Sequence, residues 1–525
     1  MKKIFVVTAA LTQLLANGME IDTNGELNIF GTYTSLSSDN MVPLKDKIFS
    51  VEFNASFQAT SIEGTAFESC IHLKSIRIPC CVTMLSGGCF YNCTSLETVT
   101  FEGESQLTCI EYAAFGGCIS LKSICIPCCV TMLSGGCFYN CTSLETVTFE
   151  ANSQLMHIGW SIFENCIALK EICIPSSVER LGNSRSVEPR HFGLLLRGST
   201  FKNCTALNSV TFEGSSKITH MYDSIFENCT ALKAIRIPNS MIMLGYNCFK
   251  GCSGLEFVVF EENSRIEDIG HSSFANCSAL KEIHIPSSVS ATGLCYGCFR
   301  GCTSLESVIF DGVPQIKNIS AAFEDCSALT EIHIPSSVTM LSGGCFRGCI
   351  SLESVIFDEV PQINNIWTAF ENCISLKSIC IPRSVREFDW SCFDGCVKLE
   401  SVHFKKNSQI KNIYPPVFGG CSALKIVNFG LAPARANYFA EADLSAGNPE
   451  LEPPDVPEGV KAFYGECFSV TGVSSIFVPV GMNIIKDRGK ITMDNSTSGD
   501  DFVMIRNEEG GLKAFRISGR EEINF

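Results

Sequence analysis

The chain has 525 residues, 46% of them apolar and 18% charged, and its 39 Lys and Arg against 55 Asp and Glu leave a net charge of −16. So apolar a chain has the material for a continuous core and lies outside the composition of disordered proteins. Its acidic balance and scattered Arg argue against nucleic acid, whose phosphates need clustered Lys and Arg.

The first eighteen residues, MKKIFVVTAALTQLLANG, set Lys2 and Lys3 ahead of an apolar run from Ile4 to Ala16. That order resembles a secretory signal peptide, and the run falls short of the roughly 20 residues of a spanning helix. No later stretch is long enough either, so no transmembrane segment is expected. A buried N-terminal element is the alternative reading of the run. Residues 19–47 are expected to form an N-terminal cap.

From residue 48 to about 430 one frame, Phe-x-x-Cys-x-x-Leu, organises the chain. It occurs fifteen times, with Phe at 67, 90, 115, 138, 163, 201, 226, 249, 274, 299, 323, 346, 370, 393 and 418, and thirteen of the fourteen gaps are 23 to 25 residues. Such a period marks a solenoid, in which each unit buries its apolar face against copies of itself. Two kinds of unit alternate, LKSIRIPCCVTML (Leu73 to Leu85) and LETVTFEGESQL (Leu96 to Leu107), so the true period is a pair of about 48 residues. Leu-x-x-Ile-x-Ile and Leu-x-x-Val-x-Phe alternate as short strands do, and the copies should stack in parallel about 4.8 Å apart. In the first kind a Pro follows the strand, as at Pro79 and Pro127, where a missing N–H need not break a central ladder. The residue after the repeat Leu is Lys in the first kind and Glu in the second at thirteen of fifteen positions, which predicts Lys–Glu neighbours across the stack.

The long gap between Phe163 and Phe201 carries about thirteen extra residues around Ser184 to Gly198, expected as a loop folding back on the scaffold, with a partner contact the alternative. A Pro-rich acidic stretch, residues 431–455, reads as a linker or long loop. Residues 456–482 repeat the frame once in degenerate form, and 483–525 are expected to cap the last open edge.

The run Phe323 to Val338, FEDCSALTEIHIPSSV, resembles the BspA-like class of leucine-rich repeats, and the likeness covers roughly residues 48 to 480. The fold expected is a repeat solenoid: a leucine-rich-repeat right-handed horseshoe or superhelix, with a parallel β-sheet on its concave face and about 16 repeats in 48-residue pairs. The resemblance implies a surface or secreted protein that adheres to host or neighbouring-cell proteins through that inner sheet.

Thirty-one Cys suggest redox or metal chemistry until their positions are read. Fifteen occupy the repeat Cys position and six more precede the repeat Phe, where Cys serves as a small buried hydrophobe. The spacing suits neither a zinc site nor a disulfide framework, and it weighs against export. The doublets Cys80-Cys81 and Cys128-Cys129 are the more exposed thiols. The eight His form no nucleophile–base arrangement, and there is no Gly-rich phosphate loop after a strand. No enzyme, cofactor or metal is expected.

What remains is a surface. If the strand Leu, Ile and Val point inward, the second and fourth positions after each repeat Leu face out. The candidate contact residues on that face are Arg236, Phe257, Val259, Glu282, His284, Ile309, Glu331, His333, Ile356 and His403. The expected function is a non-enzymatic, monomeric scaffold binding a protein of unknown identity, secreted or on the cell surface. The alternative is a cytoplasmic scaffold or a secreted effector.

Overall fold

The computed structural model describes residues 19–424 apart from 23, 30–34, 37–44, 54–56, 183–198, 390 and a few positions after 405, and beyond 424 only separate strands. The signal-peptide run, the insert at 184–198 and the linker at 431–455 lie outside the described residues. The chain divides into two units, 1–278 and 279–525, each taken by itself below.

Among the described residues every regular element is a strand, and the repeats form a parallel β-solenoid. Among the described residues every turn except that of Glu282–Ile285 contributes two strands rather than the one that the Leu-x-x-Ile-x-Ile alternation predicts. The four-residue strand is the expected one, as in Ser75–Ile78 and Thr98–Phe101. A second strand, usually of two residues, follows in the same turn, as in Met84–Leu85 and Cys109–Ile110, and stacks in its own parallel sheet. In the first unit that second row runs unbroken from Ser35–Leu36 to Asp268–Ile269. The four-residue row starts one turn earlier than the repeat frame: Glu26–Ile29 pairs in parallel with Ser50–Phe53, and Met19–Ile21 closes its edge antiparallel. Beyond residue 470, Ser475–Val478 opens an antiparallel four-stranded sheet with three later strands.

The pair period appears directly in the hydrogen bonds. Ser123–Ile126 pairs with the following Thr146–Phe149 at all four positions, but with the preceding Thr98–Phe101 only at Ser123. Proline explains the difference. Ile126 receives the N–H of Glu150 at 3.0 Å, whereas at the preceding junction Pro127 stands in that donor's place and has none to offer Phe101. The proline therefore does shorten the ladder, contrary to the expectation that it would be harmless there. Lys–Glu pairs cross both kinds of junction: Lys122–Glu97 at 3.1 Å, Lys170–Glu145 at 2.6 Å and, in the second unit, Lys377–Glu353 at 3.5 Å span short ones, and Lys233–Glu256 at 3.4 Å spans a full one. All four are open to solvent on at least one side, and screening keeps their contribution small.

The core is a column of phenylalanines. From Phe67 to Phe274 in the first unit, successive rings stack with centroids 5.1 to 5.5 Å apart. From Phe299 to Phe418 in the second the spacing is 5.4 to 5.7 Å. Phe163 and Phe201 stack at 5.3 Å, so the column runs on undisturbed across the insert. Beside the rings stand the repeat cysteines, buried and hydrogen-bonded. Thirteen of these thiols donate to the carbonyl of the Phe one turn earlier, as Cys118 does to Phe90 at 3.2 Å, while that carbonyl also takes the N–H of its own Cys93.

The residue before each repeat Cys lies at positive φ in all fifteen turns, and it is Asn, Gly, Ser or Asp. Where two Asn follow one another their amides join, Asn165 donating to Asn140 at 2.8 Å and Asn203 to Asn165 at 2.9 Å. Where Gly follows Asn, it is required twice over. A Cβ on Gly251 would stand 2.4 Å from Asn228 Oδ1, and the φ of +74° disfavours any side chain.

Two substitutions separate inside from outside. Phe249→Ala, in the column, should lower the unfolding free energy in urea by about 3–5 kcal/mol. Phe257→Ala, which is 54% exposed, should change it by no more than about 0.5 kcal/mol. Equal losses would mean that the strand faces are assigned the wrong way round.

Candidate binding surface

The four-residue strands alternate as their sequence requires: the second position is buried, the first and third are open or partly so. In the first unit Ala234–Ile237 pairs with Phe257–Phe260, which places Arg236 beside Val259 on the open face. Phe257 is 54% and Val259 45% exposed, and Arg236 reaches the Glu261 carboxylate at 3.7 Å. In the second unit Glu282–Ile285 pairs with Ser307–Phe310, bringing His284 beside Ile309, and Glu331–Ile334 with Ser354–Phe357, bringing His333 beside Ile356. Further on, Cys380 stands beside His403. His403 is only half-buried rather than open, with its Nε2 3.0 Å from Ser401 Oγ.

Alternation located these side chains but not their partners. At three second-kind strands the carboxylate just past the strand turns back onto the open face and meets the cation of the preceding strand, Arg77–Glu102 at 3.0 Å, Arg236–Glu261 at 3.7 Å and His284 Nδ1–Asp311 Oδ1 at 3.1 Å, whereas Glu150, Glu213 and Asp358 accept a backbone N–H of the preceding turn. His284 Nε2 also lies 3.2 Å from Glu282 Oε1. Partial burial pulls the imidazole pKa down, but the hydrogen bonds to Asp311 and Glu282 outweigh it and leave the pKa raised. His333 repeats half of this arrangement, 3.2 Å from Glu331. The periodic frame holds the signal for these partners: an acid follows the strand Phe at Glu102, Glu150, Glu213, Glu261, Asp311 and Asp358.

A cleft of about 350 Å³ opens on the sheet of the first unit, among Thr148, Glu150, Glu171, Cys173, Thr211 and Glu213. It lies where the fourth-position row carries the small groups Thr148, Cys173 and Thr211, and not among the ten candidate residues. Cleft depth depends on how neighbouring strands and the turns after them are disposed, and a row of residue types holds no record of that.

The sequence profile described as BspA type leucine-rich repeat region matches residues 60–185, 196–306, 263–367 and 362–471, most of the chain. The chain belongs to the BspA-type leucine-rich-repeat family. A leucine-rich repeat protein from Bacteroides ovatus is similar in structure, with a TM-score of 0.51 and 22% identity over 78% of this chain and 96% of that one. A leucine-rich cell surface protein from Faecalibacterium prausnitzii shares 21% identity over 80% of this chain and 94% of that one, with a TM-score of 0.35. No curated protein matches in sequence.

Within this BspA-type frame the thiols are structural. No disulfide joins the thirty cysteines among the described residues, and most are buried. Burial pushes Cys141 and Cys252 up to about 12, so their thiols stay protonated and inert at neutral pH. Among the described residues no group of three His, Cys, Asp or Glu is placed to hold a metal ion, and no helix is long and apolar enough to cross a membrane.

The His284 geometry sets a pH dependence. Folding favours its protonated form, so its native pKa should lie above the ordinary 6.5. The resulting stability is fully present below the unfolded pKa and is lost as pH rises through the native one. An NMR titration should show Asp311→Asn lowering the His284 pKa, with the gap in unfolding midpoint between the two proteins narrowing as pH rises. An unchanged pKa would remove Asp311 as a cause.

Proposed function

We propose that the chain is a non-enzymatic scaffold that binds another protein through the open face of its four-residue strands, at the surface of its cell or outside it. The observation that carries this reading is the exposure of large side chains on a sheet that small polar residues would serve as well. Phe257, Val259, Ile309 and Ile356 stand open beside Arg236, His284 and His333. Apolar anchors among paired charges are what a protein interface needs, the first for energy and the second for register. A chain that works as a monomer would present this face unobstructed to its partner.

The absence of disulfides among the described residues favours a second reading. Thirty cysteines without a disulfide among the described residues suit a reducing compartment, and they support an intracellular scaffold or an effector made there. Burial weakens that support, because a thiol locked in the core needs no reducing environment to stay reduced.

Two measurements test these readings. Against a partner recovered by cross-linking on intact cells, Phe257→Ala in the first unit, and His284→Ala with His333→Ala in the second, should each weaken binding by about tenfold, or about 1.4 kcal/mol. The unfolding midpoints should hold, and unchanged affinity in every variant would remove the open face as the site. The mass of the protein from its own cell should lack about the first eighteen residues if it is exported. An intact N-terminus would move the search to partners inside the cell.

A further inference from the structure

Two of the turns that follow the strand proline carry adjacent cysteines, Cys80-Cys81 and Cys128-Cys129, where other first-kind units carry Ser176-Ser177, Ser287-Ser288 and Ser336-Ser337. In the serine turns the second hydroxyl is committed to the scaffold: Ser177 donates to the Leu155 carbonyl at 2.8 Å and Ser337 to that of Ile316 at 2.9 Å. Cys81 keeps that role, its thiol directed at the carbonyls of Ala59 and Phe57 at 3.6 and 3.7 Å. At the second doublet the thiols face each other instead, with Cys128 Sγ 3.9 Å from Cys129 Sγ.

The turn that holds them is fixed on several sides. Glu150 accepts the N–H of Cys128 at 2.9 Å, Gln154 donates to the Cys128 carbonyl at 2.9 Å, and the Val130 N–H closes on Pro127 at 3.1 Å. Both sulfurs are only half-buried, so solvent reaches them, whereas the thiols of the Phe column are sealed in the core. Contact with Cys129, with a smaller contribution from burial and from Glu150, raises the Cys128 thiol above its ordinary value. This is an accessible dithiol with its two sulfurs already converged on a rigid turn.

The geometry points to Cys128 and Cys129 as a chelating site for one trivalent, thiophilic centre of the arsonous class. The reaction is a redox-neutral condensation. Two S–As bonds form, two As–O bonds break, and the two thiol protons leave with those oxygens as water, so arsenic stays trivalent and both cysteines stay reduced. Protonated thiols are the reactant form, and soft sulfur is the donor such a centre prefers. A ring through both sulfurs resists displacement by a monothiol, because the second sulfur stays bound while the first is exchanged.

Phenylarsine oxide is the probe, with the native full-length chain read by intact mass. One phenylarsenic group is expected to add, to persist in excess 2-mercaptoethanol and to leave on treatment with 2,3-dimercaptopropanol. Cys128→Ser and Cys129→Ser should each abolish the retained adduct. Both leave a sequence that approaches the Ser-Ser turn of the other repeats, so the fold is preserved, and unchanged circular dichroism and unfolding midpoint would verify it. Cys81→Ser should leave the adduct intact. No retained adduct on the native chain, or one lost with Cys81→Ser and kept with Cys129→Ser, would overturn the assignment.

Discussion

The buried carbonyl of each repeat phenylalanine is the constraint on which the rest of the solenoid depends. It has two lone pairs to satisfy away from water, and leaving one unmet costs about 1–3 kcal/mol. The amide of the cysteine three residues on takes the first and the thiol of the next turn's cysteine takes the second, as at Phe138 with Cys141 and Cys166. Alanine at that position would pack but donate nothing, whereas Cys is small, apolar and carries one weak donor. The rings above and below hold the turns at one spacing, and that spacing keeps every other column in register.

The alternation of two unit types follows from proline. With its N–H gone at each first-kind junction, the backbone ladder is full within a pair and short between pairs. Side-chain links do not follow that asymmetry. Lys122 meets Glu97 and Lys170 meets Glu145 across short junctions, Lys233 meets Glu256 across a full one, and the amides of Asn140, Asn165 and Asn203 join across one of each. The asymmetry is local, and the Phe column does not register it.

On the open face a carboxylate from the next turn reaches the exposed third position of three strands. Asp311 beside His284 and Glu261 beside Arg236 come from beyond the strand, not from it. The binding reading therefore concerns groups whose charge is tied to the scaffold, set among open apolar neighbours such as Ile309 and Phe257.

Much of this was legible in the residues alone. The Phe-x-x-Cys-x-x-Leu frame specified a solenoid, its inward column and the outward row, because a period of about 24 residues with strict apolar positions has one economical way to bury them. The Lys–Glu alternation foretold the cross-turn pairs for the same reason: columns follow from the repeat. The second strand, as in Met84–Leu85, was not legible, since two residues are too few to display alternation. Nor were the thiol-to-carbonyl bonds, the convergence of Cys128 and Cys129, or the cleft beside Cys173, which depend on where side chains of one turn lie over the backbone of another. The sequence determines which residues share a column, because that is arithmetic on the repeat. Only tertiary structure decides which atoms within and between columns come within bonding distance, because that depends on the rise and rotation from one turn to the next.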